Sequence, residues 1–208
     1  VMAVYLTNPD GCNYQMEITD PQNGIIYRGI GKAGTNDKVI KIPKPRTMTT
    51  YYLHVYAADG IYNKKVYSIS LDNLYVKGKY TGSFSPQKIT NPGKATLDPV
   101  YSSVATIDLR RTSSIPDSAE VTEVEVSGTL SYNIGNTWME IDNSISGSHN
   151  EARLNKGYNT SFSGLRNSYE PVKAIWSIDY YTYAGMSTTF TNPQIAISYR
   201  YDKYEEFS

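Results

Sequence analysis

The chain has 208 residues, with 20 basic and 20 acidic side chains, a formal net charge of zero and one cysteine. A balanced charge lacks the concentrated positive field that nucleic acid or an anionic membrane surface requires. No apolar run approaches the roughly 20 residues of a membrane-spanning helix, and a lone Cys12 excludes an internal disulfide or a Cys-based zinc site.

Period-2 alternation dominates from the start and helical spacing is nearly absent. Met2 to Leu6 reads as a short strand ended by the turn Asn8-Pro9-Asp10-Gly11, and Asn13 to Thr19 as a second ended by Asp20-Pro21-Gln22-Asn23-Gly24. Ile25 to Arg28, Val39 to Ile42, Thr49 to Ala57 and Val66 to Leu71 complete six short strands in the first 76 residues, the spacing of a β-sandwich. Residues 77–99 hold Gly78, Gly82, Pro86, Pro92, Gly93 and Pro99 among serines and threonines and are expected to be a linker. Residues 100–208 repeat the pattern with longer strands: Val104 to Leu109, Ala119 to Leu130, Thr137 to Ile141, Val172 to Tyr183, Ser187 to Phe190 and Gln194 to Tyr201. The segments 143–150 and 155–167 read as loops rich in Ser, Gly and Asn. The expected fold is all-β: a sandwich over 1–76, a linker over 77–99 and a jelly-roll-like sandwich over 100–208. Val1 at the start reads as the beginning of a trimmed piece of a longer polypeptide.

Twenty of the aromatic residues are tyrosines and four are phenylalanines. Tyrosine joins an apolar body to a polar tip, which suits a solvated sheet face used as a contact surface. Alternation sends Tyr51, Leu53 and Val55 inward and leaves Tyr52, His54 and Tyr56 in a row outside, a patch suited to an extended polymer. A second cluster places Tyr181 and Tyr183 on one face, opposite Trp176, Ile178 and Tyr180; Trp176 and Trp138 are both expected in the core. The candidate ligand-binding residues are therefore Tyr52, His54, Tyr56, Tyr181 and Tyr183.

No cofactor is implied. Calcium is conceivable at Asp10, Asp20, Asp37, Asp142 and Asn143, but Asp and Asn are what turns demand anyway, and no D-x-[DN]-x-[DN]-G loop is present. Catalysis finds little support. His54 and His149 are the two histidines, neither beside a nucleophile motif. Glu123 and Glu125, about 7 Å apart along one strand face, read as ordinary surface that discourages edge-to-edge pairing. The expectation is a protein without catalytic activity.

Val4-Tyr5-Leu6 followed by Asn13-Tyr14-Gln15-Met16-Glu17-Ile18, the strand Thr50-Tyr51-Tyr52-Leu53-His54-Val55-Tyr56 and the strand Lys65-Val66-Tyr67-Ser68-Ile69-Ser70-Leu71 together resemble the bacterial pre-peptidase C-terminal (PPC) domain, over residues 1–72. Two departures accompany the likeness: the family's opening strands precede the segment matched by Val1, and Met48-Thr49 stands where glycine is usual. The same broad family includes the collagen-binding modules of clostridial collagenases, which bind through surface tyrosines. The resemblance implies a secreted or cell-surface accessory region, of the kind appended to a peptidase domain, that holds a polymer such as collagen, peptidoglycan or a glycan. The alternative is a structural or assembly component (a surface-protein stalk, a phage virion piece or a peptidase pro-region), which an unpaired hydrophobic edge at Met2 to Leu6 would favour.

Overall fold

The computed structural model describes residues 1–43, 48–94, 97–132 and 136–207. It is all-β: strands packed in sandwich-like layers, with one three-residue 3₁₀ turn at Ser163–Leu165. The chain forms two compact units, one made of residues 1–76 and 202–208, the other of 77–201.

The first unit contains β1 (Met2–Thr7), β2 (Tyr14–Asp20), β3 (Ile25–Arg28), β4 (Ile30–Gly31), β5 (Lys38–Ile42), β6 (Tyr52–Ala57) and β7 (Ser68–Asn73). They form a four-stranded sheet in the order β4-β5-β1-β7 and a three-stranded sheet in the order β3-β2-β6. Between the sheets lie Val4, Leu6, Tyr14, Met16, Ile18, Ile40 and Ile42, delivered by strict alternation in β2 and by the inward face of β1. β1 and β5 are buried on both faces. Ala3 and Val39 meet Leu74, Tyr204 and Phe207 on the far side, so residues that close the chain cover the outer surface of the sheet that opens it. Tyr5 stacks on Tyr204 at 5.6 Å and meets Phe207 edge-on at 5.8 Å. Lys41 pairs with Asp202 at 2.6 Å, while Lys203 pairs with Asp72 and Lys32 with Glu206. Each fully buried aromatic or aliphatic side chain contributes roughly 1.5–3 kcal/mol, so this cover contributes more than its surface ion pairs do.

The second unit contains β8 (Tyr75–Ser83), β9 (Lys88–Asn91), β10 (Val100–Tyr101), β11 (Ala105–Asp108), β12 (Glu120–Leu130), β13 (Thr137–Asn143), β14 (Ser148–Arg153), β15 (Thr160–Ser161), β16 (Ile175–Thr182) and β17 (Thr188–Asp202). One sheet runs β10-β16-β13-β14 with β11 also paired to β16; the other runs β15-β12-β17-β8 with β9 paired to β17. Trp176, Tyr180, Phe84, Phe190, Ile141 and Ile197 pack in its core. The polar tips of the two largest are satisfied: Trp176 Nε1 donates to the Val172 carbonyl at 3.0 Å and Tyr180 Oη to that of Thr188 at 2.9 Å.

Four expectations need correction. Residues 77–99 are not a linker, because β8 and β9 are strands of the second unit. Their glycines are packing positions: a Cβ on Gly78 would enter the Tyr199 ring, and one on Gly82 would sit 2.7 Å from Ile107 Cδ1. The last unit does not run to residue 208, since 202–208 belong with the first. Met2 to Leu6 is no free edge, because β1 is paired with β5 on one side and β7 on the other. Segment 143–150 is partly strand, β14 starting at Ser148.

Candidate functional site

On β6 the rings do share a face. His54 and Tyr56 lie 5.2 Å apart, tilted by 31°, and Tyr52 is 64% exposed. Cross-strand register sets them opposite Glu17, Gln15 and Thr19, and Glu17 is itself paired with Arg28 at 3.1 Å. Leu53 departs from its expected place. It is 41% exposed and lines an open apolar groove of about 270 Å³ with Met2, Val4, Ile18, Ile42, Tyr51, Ile69 and Leu71. The strand alternates as expected, but the mouth of the sandwich over its inward face stays open.

A more elaborate surface lies on the outer face of the β10-β16-β13-β14 sheet. Met139 and Ile141 point into the core, so Trp138, Glu140 and Asp142 point out. On β16, Trp176, Ile178 and Tyr180 are buried, which turns Ser177, Asp179 and Tyr181 outward. On β14, His149, Glu151 and Arg153 are the exposed positions. Register then aligns three rows across the strands: Arg153, Trp138, Tyr181 and Tyr101; Glu151, Glu140 and Asp179; His149, Asp142 and Ser177. Side chains within a row are about 5 Å apart and neighbouring rows about 7 Å.

In the aromatic row Tyr101 and Tyr181 lie 5.3 Å apart at 48°, and Tyr183 stands edge-on to Tyr181 at 6.0 Å and 87°. Tyr101 and Tyr183 are 47% and 44% exposed. Tyr181 Oη donates to Glu151 Oε2 at 3.0 Å; burial first, and then that carboxylate, push its pKa up to about 12. Tyr101 is raised in the same direction by burial and by the acids beside it.

The acid rows are mutually coupled. Glu140 and Asp179 face each other directly across the β13–β16 pair. Burial, then the charges of Glu140 and Asp142, raise Asp179 to about 6, while His149 pulls the other way. Oδ1 of Asp179 is buried and has no hydrogen-bond partner among the described residues. His149 Nδ1 lies 2.8 Å from Asp142 Oδ1 and Nε2 lies 3.6 Å from Glu140 Oε1; the Asp142 bond raises the imidazole pKa above its ordinary value. Asp108, also on β11 of this sheet, is held at about 2 by the guanidinium of Arg110 and so stands apart from the coupled acids.

The structure thus brings Tyr181 and Tyr183 together, as the sequence implies, and adds Tyr101, Trp138, Glu140, Glu151 and Asp179. Trp138 is a correction: it is half-buried on the outer face, not in the core. The signal was in the sequence, because Met139 and Ile141 at period 2 claim the inward face. Four of the five calcium candidates have their side chains engaged where they stand, and of Asp10 the backbone carbonyl is engaged. Asp20 caps its own turn at Gln22 and Asn23, Asp37 accepts from Tyr5 Oη at 2.7 Å, and Asn143 accepts from the backbone of Ile145. Asp142 holds His149, and the Asp10 carbonyl accepts from Lys65. Glu123 is exposed, and Glu125 accepts from Ser161 Oγ at 3.2 Å.

No family model matches the chain. It is similar to the uncharacterized protein YbdN of Bacillus subtilis (strain 168), 30% identical over 164 residues that make up 77% of this chain and 56% of that protein. The chain therefore spans little more than half the length of that curated relative. Among solved structures, a candidate secreted protein from Eubacterium rectale aligns with 97% of this chain and 66% of its own, at 13% identity and a TM-score of 0.43. A serine protease of Aeromonas sobria aligns with 84% of this chain and 36% of its own, at 8% identity and a TM-score of 0.39. No residue role passes from these proteins to this chain.

Proposed function

We propose that this protein is a non-catalytic binding module: an accessory region of a secreted or cell-surface bacterial protein that attaches to a polymer through exposed aromatic side chains. The observation that carries the reading is the contiguous row of Trp138, Tyr181 and Tyr101, joined by Tyr183, on one solvated sheet face. Rigid amphipathic rings give large contact area at small entropic cost, which is why they recur at binding hot spots. The Tyr52, His54 and Tyr56 patch on the first unit is a second contact surface of the same kind. The likeness of residues 1–72 to the PPC domain supports attachment to a secreted peptidase.

Depletion assays on insoluble collagen, peptidoglycan and a β-glycan test this. Retention is expected on at least one, and is expected to be lost when Tyr101, Tyr181 and Tyr183 are all changed to alanine with the circular dichroism spectrum unchanged. No retention by the parent protein, or equal retention by that variant and by the matching Tyr52, His54 and Tyr56 variant, overturns it.

The open groove on the first unit favours a second reading, an assembly component that receives a partner chain. Leu71 and Leu53 are 72% and 41% exposed there, and apolar surface of this kind marks contact sites. Stable association with the parent polypeptide in gel filtration, without polymer retention, would select it.

A further inference from the structure

The three aromatic rings and the acid row beside them are not a flat platform, and the difference decides what they can hold. A pyranose ring stacks on one ring face or on coplanar rings. Tyr101 is instead tilted by 48° to Tyr181, and Tyr183 stands at 87° to Tyr181, so that the rings turn a corner at Tyr181. Ring faces carry negative quadrupole density, and rings set at steep angles around one point are the arrangement that surrounds a cation.

The charges next to the corner have the same sign preference. Glu140, Asp142, Glu151 and Asp179 occupy adjacent rows, against Arg153 and His149 as the basic groups of those rows. His149 is committed to Asp142 and Glu140. Carboxylates accept and do not donate, so the ligand must bring donors. One acceptor has room for a further donor: the Asp179 carboxyl shares a hydrogen bond with Glu140, but its Oδ1 is buried without a hydrogen-bond partner among the described residues, which costs free energy. A charged donor satisfies it best, because hydrogen bonds between ions are the stronger class.

We propose that the corner formed by Tyr101, Tyr181 and Tyr183, together with Glu151, Glu140 and Asp179, receives an ammonium group carried by the ligand. The proposal rests on the reading of this face as the binding surface and names the chemistry it recognises. An ammonium group occurs on an amino sugar, on a lysine side chain and on a choline headgroup, and the three differ in what surrounds the nitrogen.

The experiment titrates the full chain with choline, glucosamine and N-acetyl-lysine amide, and with dimethylbutanol (the uncharged carbon isostere of choline) and glucose. The readout is the NMR shift of the Trp138 indole N–H. Saturable shifts are expected with the ammonium probes, the isostere binding at least about tenfold more weakly, and the tightest probe identifies the source. Tyr183→Ala, on an exposed ring, is expected to weaken that probe about three- to thirtyfold, and Glu140→Gln to weaken it in the same direction. Equal binding of choline and its isostere, or no saturable response to any ammonium probe, overturns the proposal. Polymer retention that excess ammonium probe does not compete away also overturns it while leaving the binding surface standing. Ammonium binding without polymer retention supports it and overturns the polymer reading instead.

Discussion

Glu140 and Asp179 stand opposite each other on neighbouring antiparallel strands, and the second of these carboxyls is raised to about 6 by burial and by the charge of the first. An acid whose folded pKa lies above its ordinary value of 3.8 holds an extra proton in the folded state. Its favourable contribution is present below that ordinary value and is lost as the pH rises through about 6. Asp179→Asn removes this loss. The variant is expected to match the parent in acid and to exceed it at neutral pH by about 1 kcal/mol, after allowance for solvent screening of a partly exposed carboxyl. Urea denaturation across the acid-to-neutral range measures it, and a parent advantage at neutral pH would contradict it.

His149 titrates in the same sense. Its bond to Asp142 raises its pKa above the ordinary 6.5, so its contribution is full below that value and is lost as the pH rises through the folded pKa. His149→Gln deletes the positive charge that lowers Asp179. The carboxyl resonance of Asp179 should then titrate above about 6, because the remaining neighbours, Glu140 and Asp142, both act upward. Titration at or below that value would show that the imidazole does not reach the pair.

Phe207 is 6% exposed and closes the outer core of the first unit with Tyr204 and Tyr5. Truncating a buried phenylalanine to alanine costs about 3–5 kcal/mol. Phe207→Ala should lower the stability of the first unit by an amount of that order, while the amides of β12, β13 and β16 keep their protection in hydrogen exchange. Equal loss of protection in both units would contradict the contiguous, self-contained core of the second.

Gly93 has φ of +67°, and a Cβ there would lie 2.6 Å from the Ser187 nitrogen and closer still to the Met186 carbonyl. Backbone cannot move aside as a flexible side chain can. Gly93→Ala therefore combines left-handed strain of order 1 kcal/mol with a steric displacement. Its thermal midpoint is expected to fall, whereas Gly147→Ala, at φ +68° with open space around it, should lose only the strain.

What the sequence made legible, and what it hid, follows from where apolar residues sit. β2, β13 and β16 place apolar side chains at every second position, so their inward faces could be read directly. β14, Ser-His-Asn-Glu-Ala-Arg, carries no such stripe, because it is the last strand on its side of the sheet and packs little of itself inward. β8 was hidden by Gly78 and Gly82, which look like punctuation and are instead the room that Tyr199, Tyr80 and Ile107 require. The site was half legible for a related reason. Tyr181 and Tyr183 could be placed from their own strand, whereas Tyr101, Glu151 and Asp179 join them only through cross-strand register, which one strand does not encode. Trp138 was misplaced by its chemistry, since tryptophan is usually buried, although its neighbours Met139 and Ile141 had already taken the inside.

The cover that residues 202–207 lay over β1 and β5 has a bearing on how the chain is born. Emerging from the ribosome, the strands of residues 1–76 leave with one apolar side bare until residues 202–207 follow, after the whole of 77–201 has been translated. The first unit is therefore finished only after the second has been translated, and a nascent chain stalled short of Tyr204 would carry the second unit complete and the first still in need of shielding.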